Sequence, residues 1–132
     1  MIMHRGTANG AQILRPESVA LMSENQIGKL NLPKLWKTTV PRLSNDIDFS
    51  PGFPDQDLKW SLSFMINTRP GAAGASTGSL FWAGLANTFY WLDPARRVSG
   101  VFLTQILPGS DQLAGRTYGQ FMSGVYKALG SA

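Results

Sequence analysis

The chain contains no cysteine, a single histidine and few charged residues. Of its 132 residues, 15% are charged and 43% are apolar. The absence of cysteine excludes disulfides, thiolate metal sites and a cysteine nucleophile. The one histidine, His4, has no second or third imidazole to complete a zinc site, and a Ser-His-Asp triad would need it ordered beside a serine. We therefore expect no metal and no cofactor.

Long hydrophobic runs and dense clusters of charge are also missing. No apolar run approaches the roughly 20 residues that span a bilayer, and Met1–Gly6 is too short and too polar for a signal peptide. We therefore expect no membrane span and a cytoplasmic location. The net charge of +4 comes from scattered basic residues, with Arg96-Arg97 as the one adjacent pair. Nucleic-acid surfaces normally carry a dense basic stripe, so nucleic acid is not an expected partner.

The length and composition fit one domain over residues 1–132, large enough to bury a core. Apolar residues alternate at a strand period over residues 79–85, 88–93 and 98–106. A short Ala86-Asn87 turn separates the first two segments, and Asp93-Pro94 ends the second, because proline removes a ladder donor. Together they predict an antiparallel meander.

Three further elements complete the predicted fold. Residues 59–67 alternate well, with Trp60, Leu62, Phe64 and Ile66 on one side, and predict a half-buried strand. A short helix is expected over residues 16–24, because Pro16 and Glu17 suit a first turn. An apolar stripe that runs from Leu113 to Leu129 predicts a helix over residues 113–129. The predicted fold is therefore α+β, an antiparallel sheet with the C-terminal helix packed on one face.

Residues 28–57 show no sustained period and are broken by prolines. A connection of this length is either a functional rim or lid, or a packed surface excursion. The pairs Asp46-x-Asp48 and Asp55-x-Asp57 could supply hard oxygen ligands or an acid/base pair, although turn formation is the more ordinary role in such a loop. The glycine-rich run from Gly71 to Ser79 lacks the Gly-Lys-Ser/Thr ending of a phosphate loop.

From Leu14 to about Leu129, the order of segments resembles the C-terminal third of β-lactamase-fold serine hydrolases. These are the class C β-lactamases and the related family VIII esterases. Residues 13–19 look like the family's helix after its helical domain, and residues 60–64 look like a strand entering the sheet. Residues 78–84, Gly-Ser-Leu-Phe-Trp-Ala-Gly, resemble the third active-site motif in the Trp-x-Gly form of the esterase branch, where class C β-lactamases usually have Lys-Thr-Gly. Residues 88–94 and 100–105 match the next two strands without gaps.

The resemblance implies a substrate-pocket wall at Trp82, Ala83, Gly84 and Leu85. In the family the strand borders the catalytic serine, and the backbone N–H that corresponds to Leu85 would be the second donor of the oxyanion hole. The family's nucleophile lies in Ser-x-x-Lys and a further base in Tyr-x-Asn. No serine of this chain has lysine three residues later, and no tyrosine has asparagine two residues later.

The chain is therefore expected to hold one wall of an acyl-transfer site and no catalytic residue. It would be the C-terminal fragment of a hydrolase, inactive alone, that needs an N-terminal part in cis or as a second chain. The substrate would be a small ester or amide cleaved through a Ser-acyl intermediate. Trp82 stands where a lysine could bind a carboxylate, which favours uncharged esters.

The alternative is a non-catalytic α+β module that self-associates. In the family, the far strand of the meander pairs with a strand from the N-terminal part. Without that part, residues 98–106 would form an apolar edge with no charge between Val101 and Ile106 to blunt it. This interpretation predicts a homodimer or a larger homo-oligomer through the edge at 98–106.

Overall fold

The structure, a computed structural model, describes residues 1–130 and arranges them as three antiparallel sheets with two α-helices. A short 3₁₀ turn, Ile2–His4, precedes the first strand. The elements in chain order are β1 Thr7–Ala8, β2 Ala11–Gln12, α1 Pro16–Ser23, β3 Leu35–Trp36, β4 Ile47–Asp48, β5 Leu58–Trp60, β6 Met65–Asn67, β7 Leu80–Ala83, β8 Phe89–Asp93, β9 Val98–Phe102 and α2 Gln112–Gly130. The α+β class and the meander are confirmed.

The main sheet has the order β5-β6-β7-β8-β9, so every neighbour in the sheet is also the neighbour in sequence. The register of the meander pairs Trp82 with Tyr90 and Trp91 with Gly100. Successive side chains of a strand point to opposite faces, which gives the sheet two apolar sides. α2 covers one of them, where Trp91 packs with Met122 and Tyr126. The opposite side holds a smaller cluster, formed by Phe64, Ile66 and Leu80.

The predicted strand over 59–67 is wrong in one respect, because the structure divides it into a tight hairpin. Trp60 pairs with Met65, and the four residues between them turn the chain. The Ser61 hydroxyl accepts hydrogen bonds from the N–H groups of Ser63 and Phe64 at 3.1 and 2.8 Å. Serine side chains stabilise turns in this way. Leu62, which the alternation assigned to the buried side, is 62% exposed at the tip.

The last predicted strand, 98–106, is shorter in the structure and ends at Phe102. The following residues leave the sheet because they bind the turn before β8. The Thr104 hydroxyl donates to the carbonyl oxygens of Ala86 and Asn87 at 2.6 and 3.0 Å, and the N–H of Ile106 also donates to Ala86. β9 remains an edge strand, and within residues 1–130 no strand pairs with its outer side.

α2 begins at a side-chain cap. The Asp111 carboxylate accepts a hydrogen bond from the N–H of Ala114 at 2.8 Å, which satisfies one of the free donors of the first turn. The predicted helix over 113–129 is confirmed, and its buried residues include Met122 and Tyr126. Leu113 and Leu129, the ends of the predicted stripe, are exposed, at 67% and 45%. No helix in the described part of the chain is both long and apolar enough to cross a membrane.

The proline-broken segment 28–57 folds back onto the main sheet. It contributes the small sheet of β3 and β4, in which Trp36 pairs with Ile47. Leu32, Phe49 and Phe53 from this segment pack against the core beneath α2. The segment is therefore a packed excursion, and it also borders the cavity described next.

Candidate functional site

The four residues of the predicted pocket wall lie together at the end of β7 and in the turn that follows. Trp82 and Ala83 are the last two residues of the strand, and Gly84 and Leu85 begin the turn. All four line one cavity of about 420 Å³. The structure therefore gives these residues a common surface that faces a space large enough for a small organic molecule.

The turn between β7 and β8 has a defined geometry. The N–H of Asn87 donates to the carbonyl of Gly84 at 3.0 Å, and the N–H of Gly84 donates to the carbonyl of Thr88 at 2.7 Å. Asn87 has a positive φ of 59°. This is a three-residue hairpin loop, a β-turn followed by one left-handed residue. Leu85 occupies the first central position, and within residues 1–130 its N–H donates no hydrogen bond.

Asn87 fixes this turn to the chain that leads into α2. Its side chain is almost fully buried, and its amide donates to the carbonyls of Ile106 and Pro108 at 2.9 and 3.0 Å. Its amide oxygen accepts from the N–H of Asp111 at 2.9 Å. Asparagine tolerates the left-handed conformation better than other non-glycine residues. One side chain therefore sets both the turn conformation and its place against the helix start.

Gly109 brings a third segment against the turn. A Cβ at Gly109 would lie 2.9 Å from the carbonyl oxygen and from Cδ1 of Leu85, and 3.3 Å from the Ser44 hydroxyl. The backbone of Gly109 also bonds to Leu43 and Asn45. Only glycine permits so close an approach, so segment 28–57 meets the turn through this residue.

Gly84 differs from Gly109, because the structure leaves room for a side chain at this position. A Cβ at this position would meet only Thr88, at an ordinary 3.9 Å, and the φ of Gly84 is not positive. The side of Gly84 without a side chain therefore adds open space to the cavity. This is consistent with the close approach that a glycine beside a strand can provide to a ligand.

The cavity lies between the sheet, segment 28–57 and α2, and its wall is mostly apolar. Segment 28–57 contributes Ser44, Ile47, Asp48, Phe49, Gly52 and Phe53. The sheet and its loops contribute Met65, Gly71, Ala73, Ala75, Phe81, Asn87 and Phe89 besides the four wall residues. The helix side contributes Gly109, Ser110, Gly115, Tyr118, Gly119 and Met122.

Trp82 and Phe49, which line the cavity, belong to a group of four packed aromatic rings. The ring of Trp82 lies 4.5 Å from Trp60, 6.0 Å from Trp36 and 6.4 Å from Phe49, measured between centroids. Edge-to-face and tilted ring pairs at these distances are attractive. The four rings join β3, the segment after β4, β5 and β7, so the position of Trp82 depends in part on segment 28–57.

The charges around the cavity are few. Asp48 is the one charged residue that lines it, and hydrogen bonds from Ser50 keep the pKa of its carboxyl below the usual value, with Lys34 adding a small attraction. No lysine, arginine or histidine lines the cavity within the described residues. Burial raises the pKa of Tyr118, whose hydroxyl has no hydrogen-bond partner in the described structure.

Of the other candidates from the sequence, Asp48 lines the cavity, whereas Asp46, Asp55, Asp57 and His4 do not. Asp46 accepts hydrogen bonds from Lys37 and from the N–H of Thr38, at 2.7 and 2.9 Å, and Asp48 accepts one from Ser50. These are the contacts of turn formers. No group of three or more metal-binding side chains occurs among residues 1–130. His4 ends the first 3₁₀ turn, away from the residues that line the cavity.

Two residues were not assigned to the site from the sequence, although Asn87 was predicted to lie in the turn. Asn87 had a detectable signal, because an asparagine that ends a short loop before an apolar strand is a common left-handed turn residue. Tyr118 had none, because it was one member of an apolar helical stripe. Its contact with the site depends on how α2 crosses the sheet.

Comparisons with known proteins agree with the fold. No protein-family model matches the chain, and no curated protein sequence matches it. Among solved structures, unliganded simvastatin synthase (LovD) from Aspergillus terreus is similar with a TM-score of 0.67 at 19% identity, covering 95% of this chain and 32% of that chain. Its LovD9 mutant gives 0.71 at 19% identity, covering 99% and 33%. Its LovD6 mutant gives 0.69 at 18% identity, covering 99% and 32%.

The chain thus spans about a third of the length of these neighbours. They have the β-lactamase fold, which is the fold that the sequence resemblance implies. At identities below one fifth, the likeness establishes the fold, and any activity has to be argued from the site.

Proposed function

We propose that this chain is the C-terminal part of a β-lactamase-related serine hydrolase, in which it supplies one wall of the acyl-transfer site and the second oxyanion donor. The observation that carries the proposal is the N–H of Leu85, which makes no hydrogen bond within residues 1–130 and belongs to a turn that lines the cavity. A fixed backbone donor without a partner, beside a largely apolar space, is what an oxyanion hole requires.

The proposed reaction divides the work between two parts of the complete enzyme. A serine outside this chain attacks the ester carbonyl, its proton passes to the base beside it, and the carbonyl oxygen becomes an oxyanion. The N–H of Leu85 donates to that oxygen, and the alcohol then leaves with a proton to give the acyl-serine. Water attacks the acyl group in the same way and releases the acid. The wall residues Trp82, Ala83 and Gly84 hold the substrate beside the serine.

An ester is the proposed substrate, because the wall carries no cation for a carboxylate and Asp48 adds a negative charge. The aromatic ring of Trp82 offers apolar contact where a lysine could have bound an anion. The chain alone is proposed to be inactive toward short p-nitrophenyl esters and toward a chromogenic β-lactam. Hydrolysis clearly above that of a heat-killed sample would contradict this.

The decisive experiment examines the natural gene product and its activity. We expect the open reading frame, or a partner chain that copurifies, to contain Ser-x-x-Lys and Tyr-x-Asn, and the combined protein to hydrolyse p-nitrophenyl butyrate. Leu85→Pro then tests the donor, because proline suits the first central position of a β-turn yet has no N–H. We expect kcat to fall about 100-fold or more. Leu85→Ala keeps the N–H and is the matched control.

The proposal fails if Leu85→Pro and Leu85→Ala retain the same kcat. It also fails if neither the reading frame nor a copurifying chain supplies the two motifs.

One observation favours the second candidate, a self-associating non-catalytic module. β9 is an edge strand, and Val101 on it is 59% exposed, with no charge between Val101 and Ile106. Pairing of two such edges would form a homo-oligomer. Sedimentation at tens of micromolar is expected to show a dimer that Val101→Lys dissociates. Leu62→Lys, at an equally exposed leucine away from the edge, is expected to leave the dimer intact, and a monomeric parent chain would exclude this candidate.

A further inference from the structure

The cavity behind the wall residues extends well beyond the turn that carries the proposed oxyanion donor. It continues between β7 and α2, where it is lined by Phe81 from the strand and by Gly115, Gly119 and Met122 from the helix. Its volume of about 420 Å³ is nearly three times that of an engineered apolar cavity, of roughly 150 Å³, that binds benzene. The space is therefore sufficient for an aliphatic chain of about eight carbons.

The helix makes this space by lacking side chains at two positions. Gly115 and Gly119 are four residues apart and lie on one face of α2. A Cβ at either position would have no neighbour within 4 Å. A helix that packs on a sheet normally fills such positions with large apolar residues, because protein interiors are close-packed. Here the two positions are open, and both line the cavity.

The polar groups of the cavity define what could fill it. The Tyr118 hydroxyl is buried without a partner, and the N–H of Leu85 donates no hydrogen bond within residues 1–130. Buried polar groups are normally paired, so the Tyr118 hydroxyl calls for a water or a ligand atom, whereas Leu85 is 54% exposed and its N–H is open to water as well as to a ligand. Both groups can donate to an oxygen. The one charge that lines the cavity is the Asp48 carboxylate, which would repel an anion.

We propose that this cavity binds the uncharged aliphatic chain of a carbonyl compound, an acyl chain of about eight carbons that lies between β7 and α2. The chain would pass Gly115 and Gly119 and place a carbonyl oxygen near a donor of the wall. That this ligand is a substrate rests on the proposed function. Binding itself needs no nucleophile, so this chain alone can be tested.

The probe is 2-decanone, an uncharged ketone that cannot be hydrolysed, with decanoate as an anion of similar length. Titration calorimetry, together with the fluorescence of the tryptophans, is expected to show saturable one-to-one binding of 2-decanone. We expect binding of decanoate to be at least tenfold weaker. Equal affinity for the two would overturn the preference for an uncharged chain, and the absence of saturable binding of either would overturn the site.

Two substitutions on one helix provide the matched comparison. Gly119→Leu places a side chain in the cavity and is expected to weaken 2-decanone binding at least tenfold. Gly124→Leu is on the same helix, also has no neighbour within 4 Å, and does not line the cavity. It is expected to leave the affinity unchanged. Circular dichroism checks that both variants fold, and Gly115→Leu replaces Gly119→Leu if the latter does not.

Tyr118→Phe tests the buried hydroxyl. If the hydroxyl donates to the ketone oxygen, its removal should weaken 2-decanone binding about fivefold. It should leave the binding of decane, which has no acceptor, unchanged. Equal binding by the Gly119→Leu and Gly124→Leu variants would overturn the cavity proposal and would leave the hydrolase proposal standing. Saturable binding of 2-decanone, together with inactivity of the complete protein, would overturn the hydrolase proposal and leave the cavity proposal standing.

Discussion

Asp93 is a fully buried carboxylate that joins three separate parts of the chain. One of its oxygens accepts hydrogen bonds from the N–H of Ser76 and from the Tyr126 hydroxyl, at 2.9 and 2.8 Å. The other accepts from the N–H of Arg96 at 3.1 Å. Asp93 therefore connects the loop before β7, the turn after β8, and α2. The sequence marked it only as the end of a strand, because the three donors are distant along the chain.

Asp93→Ala should lower the free energy of unfolding by about 3 kcal/mol, because it leaves three donors without an acceptor in a buried place. Tyr126→Phe removes only one of the three bonds and should cost about 1 kcal/mol. Urea denaturation measures both. Asp57→Ala, at an exposed aspartate, is the control and should stay within about 0.5 kcal/mol of the parent chain. A loss for Asp93→Ala no larger than this control would contradict the prediction.

The same carboxylate should make stability depend on pH. Burial alone would raise the pKa of Asp93, but the hydrogen bonds from Ser76, Arg96 and Tyr126 outweigh it and lower the pKa from the usual 3.8. The native state therefore holds this proton less tightly than the unfolded state does. The resulting stability is present above the unfolded pKa and is lost as the pH falls through the native one.

We expect the unfolding free energy of the parent chain to fall below about pH 4, near the reference pKa of aspartate. Urea titrations at several pH values measure this fall. Asp93→Asn, which cannot ionise, should flatten the slope in that window. An identical slope for the parent and Asp93→Asn would show that other groups carry the acid sensitivity.

Among the elements, β8 and β9 depend on one close approach. Gly100 lies opposite Trp91 in the register, and the indole ring covers it. A Cβ at Gly100 would lie 2.1 Å from two atoms of that ring. An aromatic side chain that packs over a strand glycine compensates for the packing that glycine lacks.

Gly100→Ala should cost about 2 kcal/mol, because Trp91 is fully buried and the ring has to move to admit a methyl group. Urea denaturation gives the loss, and near-ultraviolet circular dichroism should report the displaced indole. Ser99→Ala, one residue earlier on the exposed side of the same strand, should change the stability by less than about 0.5 kcal/mol. Comparable losses for the two variants would rule out the ring contact as the cause.

The sequence predicted elements well where side-chain alternation and turn chemistry agreed. Residues 79–85 and 88–93 contain β7 and β8, and the helix stripe contains most of α2. The prediction of one strand over residues 59–67 was wrong because the alternation of apolar and polar residues continues across Ser61-Leu62-Ser63. A serine hydroxyl stabilises the turn there, without glycine or proline. The prediction of a pocket wall at residues 82–85 came from the family resemblance, and these residues line the cavity. The cavity could not be predicted, because its sides come from segments far apart in sequence.

At the scale of the whole molecule, segment 28–57 holds one side of the site against the sheet. Trp36 makes an edge contact with Phe49 at 5.9 Å and a tilted one with Trp82 at 6.0 Å. These contacts join the small sheet of β3 and β4 to the main sheet. The shape of the cavity therefore depends on a segment that has little regular structure of its own.

Trp36→Ala should lower the unfolding free energy by at least about 2 kcal/mol, since each of its two aromatic pairs is worth about 1 kcal/mol beyond the area that it buries. It should also shift the emission of the remaining tryptophans to longer wavelength, because Trp82 becomes more exposed to water. Leu35→Ala, at the adjacent residue that is 51% exposed, should cause neither change. Unchanged emission in Trp36→Ala would mean that segment 28–57 stays in place without this ring.

The hydrogen bonds of Asn87 limit which changes of length the loop between β7 and β8 can accept. Surface hairpin loops usually accept insertions and exchanges without loss of the fold. The loop 84–88 should not, because the Asn87 side chain ties it to Ile106, Pro108 and the residue that caps α2. An inserted residue would have to break these bonds or carry the helix start with it. Library designs that seek new specificity should therefore vary Gly115, Gly119 and the residues of segment 28–57 that line the cavity, and keep the length of this loop constant.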